Sequence, residues 1–249
     1  CASAALALLD GDRDSAASFA EKSLALSQQA GDRAGTARGL CMLAEITAGY
    51  TEIDDDPPHE DLTRAVALAR ESLALHEELG DRRGAARALT ALGVWTFDLG
   101  EQVRGQALLG EALALSRAAG CRWQAGLLLL HLASIELGDC RIERGQALLE
   151  ESLAIIREFG YRLIVGRRYF HSAVWVAAPG GAPRLLSLLG GCLEESLALC
   201  RSQGNKERLI WCLLSLARVA LARGDPERVR ALLNRARRGV QVGTRASKL

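Results

Sequence analysis

Ser72-Leu73-Ala74-Leu75, followed by Gly80, is the stretch of sequence that decides the fold, because the chain repeats it in a fixed register. The other clear copies are Ser23-Leu24-Ala25-Leu26, Ala112-Leu113-Ala114-Leu115, Ser152-Leu153-Ala154-Ile155 and Ser196-Leu197-Ala198-Leu199, and a degenerate sixth copy begins at Ala236. Eight residues after the first position of each clear copy stands a glycine: Gly31, Gly80, Gly120, Gly160 and Gly204. Successive copies begin 49, 40, 40, 44 and 40 residues apart, so the chain is built from repeats of about 40 residues.

Each repeat is predicted to form two helices. A second apolar-periodic stretch lies between each glycine and the next motif, as in residues 85–99 and 209–223. It is usually closed by a glycine, which we assign as Gly100, Gly138 and Gly224. We call this stretch helix A and the helix that carries the repeat motif helix B. Five residues before each motif the side chain is always small, which predicts tight helix packing at Ser18, Ala67, Ala107, Ala147, Gly191 and Ala231.

The repeats set the predicted domain organisation. Such a unit cannot bury its apolar face alone, so we expect a stacked array over residues 1–238, with about six helix pairs and the first truncated. Gly-Asp-Arg at 31–33 and 80–82 suits the turn between repeats, with glycine at positive φ and aspartate capping the next helix. Residues 51–61 predict an acidic loop insertion, residues 179–183 a Pro/Gly break, and residues 239–249 a flexible tail.

Composition limits the classes of partner. Lys plus Arg number 31 and Asp plus Glu number 30, so no overall charge attracts the chain to nucleic acid or an anionic membrane. We expect the arginines of the last predicted helix to be solvated side chains that cap the end of the array. The seven cysteines contain no C-x-x-C pair and mostly lie in apolar runs, which favours reduced core residues in a cytoplasmic protein. Because the chain begins with Cys rather than Met, we expect it to be a fragment of a longer protein.

The repeats resemble bacterial tetratricopeptide (TPR) repeats. Leu92-Gly93 followed by Leu99-Gly100-Glu101, and Leu132-Ala133 followed by Leu137-Gly138-Asp139, stand where that family has its Leu-Gly pair and its turn glycine. The resemblance implies an all-α, right-handed α-solenoid. The longer repeat, with Gly-Asp-Arg-x-Gly-x-Ala-Arg, is also similar to the sensor arrays of STAND-type signalling ATPases and LuxR-type transcription activators. That similarity implies a bacterial array that receives an inducer or partner, although this chain has no Gly-x-x-x-x-Gly-Lys-[Ser/Thr] motif.

Helix A lines the concave wall in this family, so we expect the binding residues there. Counted from each glycine, the eighth, eleventh and fifteenth positions share one helical face. The eighth positions include three arginines, which suit bidentate binding of a carboxylate or phosphate, and aromatic residues add flat apolar contacts. The candidate residues are Arg38, Arg87, Arg167, Phe170, Trp211, Glu45 and Arg218.

The sequence offers no catalytic constellation, cofactor motif or metal site. Trp95 and Trp175 share a repeat position with aliphatic residues and are predicted to lie in the core. His131 and His171 are one repeat apart, but two histidines without a third ligand make a poor zinc site. No acid/base pair or activated nucleophile can be assembled, so an enzyme is not expected.

Two functions remain from different classes. The first is a sensor or interaction module of a bacterial signalling ATPase or transcription regulator, whose partner is a peptide, a protein or a small-molecule inducer. The alternative is a constitutive scaffold that self-associates, for example as a homodimer, or assembles complexes. The identity of the ligand does not follow from a repeat array, because the same curved wall binds many classes of molecule.

Overall fold

The computed structural model describes residues 3–4, 7, 13–48, 59–159, 183–203 and 206–246. All regular secondary structure in these ranges is helical, so the predicted all-α class is confirmed. The helices are α1 (Arg13–Gln29), α2 (Arg33–Thr47), α3 (His59–Glu78), α4 (Arg82–Asp98), α5 (Gln102–Ala118), α6 (Arg122–Gly138), α7 (Ile142–Glu158), α8 (Pro183–Gln203), α9 (Lys206–Ala222) and α10 (Pro226–Ala246). No helix among the described residues has the length and hydropathy that a membrane span requires.

The chain divides into two compact units, residues 1–128 and residues 129–249, which we call the N-terminal and the C-terminal unit. In the N-terminal unit each of helices α1 to α4 packs against the next, and α2 also contacts α4. In the C-terminal unit α8 packs against α9, and α9 packs against α10. Helices α2, α4, α6 and α9 are A helices, and α1, α3, α5, α7, α8 and α10 are B helices, as the sequence pattern predicts.

The turn between repeats has the predicted conformation. Gly31 and Gly80 both have a φ of 66°, which glycine adopts without the Cβ penalty of other residues. The Asp32 carboxylate accepts a hydrogen bond from the Gly35 amide at 2.8 Å, and Asp81 accepts one from the Gly84 amide at 3.0 Å. Each aspartate therefore satisfies a free amide at the start of an A helix.

The first residue of the repeat motif lies in the contact between helix B and helix A. Ser72, in α3, is fully buried, and its hydroxyl donates a hydrogen bond to the Ala37 carbonyl of α2 at 2.8 Å. Ala112, Ser152 and Ser196 are buried at the corresponding positions. Because these side chains are short, they let the two helix backbones approach closely, and a serine satisfies its own hydroxyl there.

The tight packing predicted five residues before each motif is wrong. Ala67, Ala107 and Ala147 are exposed at that position. The close approach occurs two residues earlier, where Gly105 of α5 meets α4: a Cβ there would lie 2.6 Å from the Phe97 amide nitrogen. Several positions of these repeats carry small residues, and helical rotation decides which of them faces the neighbouring backbone.

The third A helix ends at the predicted glycine, but a different residue has the left-handed backbone. Gly138 is the last residue of α6, and the left-handed residue is Cys140, with a φ of 60°. Cys140 stands 40 residues after Gly100, which has a φ of 90° at the end of the preceding A helix. The register of the repeat, rather than the residue type, therefore determines which position takes the left-handed conformation after the helix.

Three further predictions concern helix boundaries and the core. Helix α3 begins at His59, so the last residues of the expected 51–61 loop form its first turn. Helix α10 runs to Ala246, through most of the expected tail, because an isolated glycine weakens a helix without ending it. Trp95 is 1% exposed, which confirms its place in the core, whereas Trp175 lies outside the described residues.

Candidate partner-binding surface

The A helices of the N-terminal unit leave only a narrow strip of surface. Helix α2 packs against α1, α3 and α4, and α4 packs against α2, α3 and α5. After Arg33, the only exposed residue of α2 is Arg38. Between Gly84 and Phe97 of α4, the only exposed residue is Arg87. Both are at the eighth position of their repeats, so this strip carries positive charge. We call it the A-helix strip.

Arg87 is joined to the preceding A helix by a bidentate ion pair. Its Nε and Nη2 atoms donate to the two carboxylate oxygens of Glu45, at 2.9 and 2.6 Å. The Arg87 side chain is 50% exposed and that of Glu45 is 28% exposed. Burial acts to lower the pKa of Arg87, but the charge of Glu45 and its hydrogen bonds raise this pKa overall. The pair holds the guanidinium in a fixed orientation at the surface.

A second polar contact joins the next two A helices. The Gln124 side-chain amide of α6 donates to the Thr90 hydroxyl of α4 at 3.1 Å, and that hydroxyl donates to the Ala86 carbonyl at 2.7 Å. Sequence reasoning missed Gln124, which is at the fifth position of its repeat. The signal in the sequence was a polar amide in an otherwise apolar stretch. The sequence could not identify Thr90 as its hydrogen-bond partner, because this contact depends on how α4 and α6 pack.

Beneath the Glu45–Arg87 pair lies Cys41, which is 2% exposed. Its Sγ is 3.9 Å from a Glu45 carboxylate oxygen. Burial, followed by the nearby carboxylate, raises the pKa of the Cys41 thiol to about 12. Cys41 is therefore a neutral thiol at physiological pH and has none of the nucleophilic character of a catalytic cysteine.

In the C-terminal unit, helix α9 presents a comparable face. Trp211, Leu214 and Arg218 are partly exposed, whereas the residues between them are mostly buried. Their spacing of three and four residues places them on one side of the helix. Of the other expected contacts, Arg167 and Phe170 lie outside the described residues.

The structure thus joins two of the predicted site residues directly, Glu45 and Arg87. Arg38 is on the same helix as Glu45, two turns earlier, and makes no hydrogen bond or ion pair with any residue that the structure describes. Trp211 and Arg218 share a face of α9. Among the described residues, no group of three or more His, Cys, Asp or Glu side chains could hold a metal ion.

Comparisons with known protein structures identify the fold. No protein-family model matches the sequence, and no curated protein sequence is similar to it. The structure is similar to that of BtubC (BKLC) from P. vanneervenii, with a TM-score of 0.68 and 18% identity over 92% of this chain and 91% of that one.

A second similar structure is that of the TPR-like repeats of a putative kinesin light chain from Podosopora anserina. Its TM-score is 0.58 at 16% identity, over 84% of this chain and 96% of that one. The helix pairs of this chain are therefore TPR-like and form an α-solenoid. At these identities the similarity defines the fold and leaves the function to be argued from the surface.

Proposed function

We propose that this chain is a non-catalytic interaction module that binds an acidic segment of a peptide or protein partner on the A-helix strip. The observation that carries the proposal is the exposure of Arg38 and Arg87 in the middle of A helices whose other central residues are buried or partly buried. A charged residue that is exposed at the same position of two successive repeats is not needed for packing of the core. It is therefore available to bind a partner.

The charges of the strip favour an acidic ligand. Arg38 and Arg87 carry two positive charges, and Glu45 compensates one of them. A guanidinium has five N–H donors, and Glu45 occupies two atoms of Arg87, so donors remain for a ligand carboxylate. Because Glu45 already fixes Arg87, binding costs less side-chain entropy than it would for a free arginine.

The finer role that we propose is that of a sensor array in a bacterial, cytoplasmic signalling ATPase or LuxR-type regulator. The support for this role is the similarity of the Gly-Asp-Arg-x-Gly-x-Ala-Arg segment and its repeat to such arrays. In that setting the partner or inducer would bind the A helices and alter the activity of another domain. Arg167, Phe170, Trp211 and Arg218 would extend the same binding role to later repeats.

A peptide-binding measurement tests the proposal. Blocked peptides that contain Glu or Asp are compared with the same peptides containing Gln or Asn, by fluorescence anisotropy. We expect the acidic peptides to bind better, and the double variant Arg38→Gln/Arg87→Gln to lose at least about tenfold in affinity. Arg64→Gln, which removes an exposed arginine from the B helix α3, is the matched control and should bind as the native chain does. Unchanged affinity in the double variant would refute the A-helix strip as the binding surface.

Self-association is the second candidate function, and one observation favours it. Phe19 and Leu26 are 42% and 65% exposed and lie seven residues apart on α1, hence on one face of that helix. Light scattering coupled to gel filtration separates the two functions. A monomer supports the interaction module. A dimer that Phe19→Ser/Leu26→Ser converts to monomer, with no acidic-peptide binding, supports the scaffold.

A further inference from the structure

Within the C-terminal unit, helices α8, α9 and α10 line an open surface cleft of about 270 Å³. Helix α8 contributes Ser187, Gly190, Gly191 and Glu194, and α9 contributes Leu216, Val219 and Ala220. Arg223, just after α9, and Arg228, in α10, complete the lining. The residues from each helix are spaced by three and four, so each set is one continuous stripe facing the cleft.

The floor of the cleft is open because α8 has glycine where other B helices have larger residues. The positions that correspond to Gly190, six residues before the motif, hold Val66 in α3, Gln106 in α5 and Gln146 in α7. A Cβ at Gly190 would meet nothing closer than the Arg223 Nη2 atom at 3.4 Å, and one at Gly191 would meet nothing within 4 Å. Packing therefore requires neither glycine, although glycine in a helix interior is less stable than alanine.

The two arginines of the cleft have different partners. Arg228 donates to the Glu194 carboxylate at 2.6 Å, so its charge is compensated. Arg223 donates through Nη2 to the Leu186 carbonyl at 2.9 Å and to the Ser187 hydroxyl at 3.3 Å, and both acceptors are neutral. Among the described residues no carboxylate pairs with Arg223. These contacts hold one edge of its guanidinium, and its positive charge has no counter-ion in the part of the chain that the structure describes.

We propose that this cleft is a second binding site, which takes a carboxylate carried on a short unbranched stem. The carboxylate pairs with Arg223, and the stem lies over Gly191, where nothing is within 4 Å of the Cβ position. Two arginines and one glutamate give the cleft a net charge of +1, which matches a monoanion. The cleft volume suits a group the size of an amino-acid side chain rather than a nucleotide.

Nuclear magnetic resonance provides the test, because it reports on each site separately. Butyrate and the blocked tripeptide acetyl-Ala-Glu-Ala-amide are titrated into the ¹⁵N-labelled chain, with butyramide and the Gln tripeptide as neutral counterparts. We expect saturable shifts of the Gly190, Gly191 and Arg223 Nε signals with the carboxylates only. Tighter binding of butyrate identifies a small-molecule site, and tighter binding of the Glu tripeptide identifies an acidic side chain of a partner.

Two variants of the cleft and two control variants make the test decisive. Gly191→Leu fills the cleft and should abolish the shifts, whereas Gly110→Leu makes the same change at an exposed glycine of α5 with nothing within 4 Å of its Cβ position, and should leave them intact. Arg223→Gln should weaken carboxylate binding by at least about tenfold. Equal shifts with the neutral compounds, no saturable shift, or undiminished binding by Gly191→Leu would overturn the proposal. Arg38→Gln should leave these shifts unchanged, so this site and the A-helix strip are tested separately.

Discussion

Arg87 of one A helix donates to both carboxylate oxygens of Glu45 on the A helix before it, at 2.9 and 2.6 Å. The two residues belong to successive repeats, 42 residues apart in sequence. The pair therefore has two roles. It joins neighbouring repeats, and it fixes a guanidinium at the surface that we propose binds the partner.

The first prediction concerns the energy of this pair. In a double-mutant cycle with Glu45→Gln and Arg87→Gln, we expect a coupling free energy of about 1 kcal/mol, because the geometry is bidentate but the arginine is half exposed. The measurement is the free energy of unfolding of the four proteins in urea. The matched control is the exposed pair of Glu101 and Arg104, whose single contact is 3.0 Å long and should contribute at most about 0.5 kcal/mol. Equal coupling in the two cycles would show that the Glu45–Arg87 pair stabilises the fold no more than an ordinary exposed ion pair does.

The second prediction concerns the close approach of α4 and α5. Gly105→Ala should destabilise the fold by about 2 kcal/mol or more, because its Cβ would lie 2.6 Å from the Phe97 amide nitrogen and 2.7 Å from the Gly93 carbonyl oxygen. Gly110→Ala on the same helix should instead stabilise it by about 0.5–1 kcal/mol, because nothing lies near that Cβ. Thermal unfolding of both variants checks the sign. A neutral Gly105→Ala would mean that the helices separate at little cost.

The fold could be predicted from the sequence because its signals are local and recur. Gly80 and Asp81 define the turn between repeats through their own backbone preferences, and Ser72 marks the buried side of helix B, as Ala112, Ser152 and Ser196 do in later repeats. The position of closest packing was mistaken because Gly105 and Ala107 are both small. Which of them meets α4 depends on the rotation of α5, and this follows from packing rather than from residue type.

The candidate surface was less predictable, since it depends on contacts between repeats. The helical spacing placed Arg38 and Arg87 at equivalent positions, but it did not predict that Glu45 would hold Arg87 or that Gln124 would reach Thr90. These pairs join residues 42 and 34 positions apart, whose separation is set by the packing of neighbouring A helices. The cleft beside Gly190 and Gly191 could not be predicted from the sequence, because its other wall comes from α9.

The third prediction concerns the cap of α4. The hydrogen bond from the Gly84 amide, together with the nearby His76 ring, lowers the pKa of the Asp81 carboxyl below its usual 3.8. A lowered folded-state pKa means that the cap stabilises the fold above about pH 3.8 and that this contribution is lost as the pH falls through the lowered value. At neutral pH, Asp81→Ala should cost about 1 kcal/mol.

The control for this cap is Glu101, which precedes α5 but makes no capping hydrogen bond through its side chain. Glu101→Ala should change the free energy of unfolding by less than about 0.5 kcal/mol. Urea unfolding of Asp81→Ala and of the native chain, from neutral pH to below pH 3.8, should show the difference between them shrink on acidification. A difference that stays constant with pH would contradict a role for the ionised carboxylate.

The fourth prediction concerns the left-handed backbone of Cys140, which corresponds to Gly100 in the turn after α4. A side chain in this conformation costs about 1–2 kcal/mol, and glycine removes that cost while losing part of the gain to its greater freedom in the unfolded chain. Cys140→Gly should therefore stabilise the fold by about 1 kcal/mol in thermal or urea unfolding. Cys140→Ala removes the same exposed thiol but keeps the Cβ, so it should stay within about 0.5 kcal/mol of the native chain. An equal gain in both variants would locate the effect in the thiol rather than the backbone.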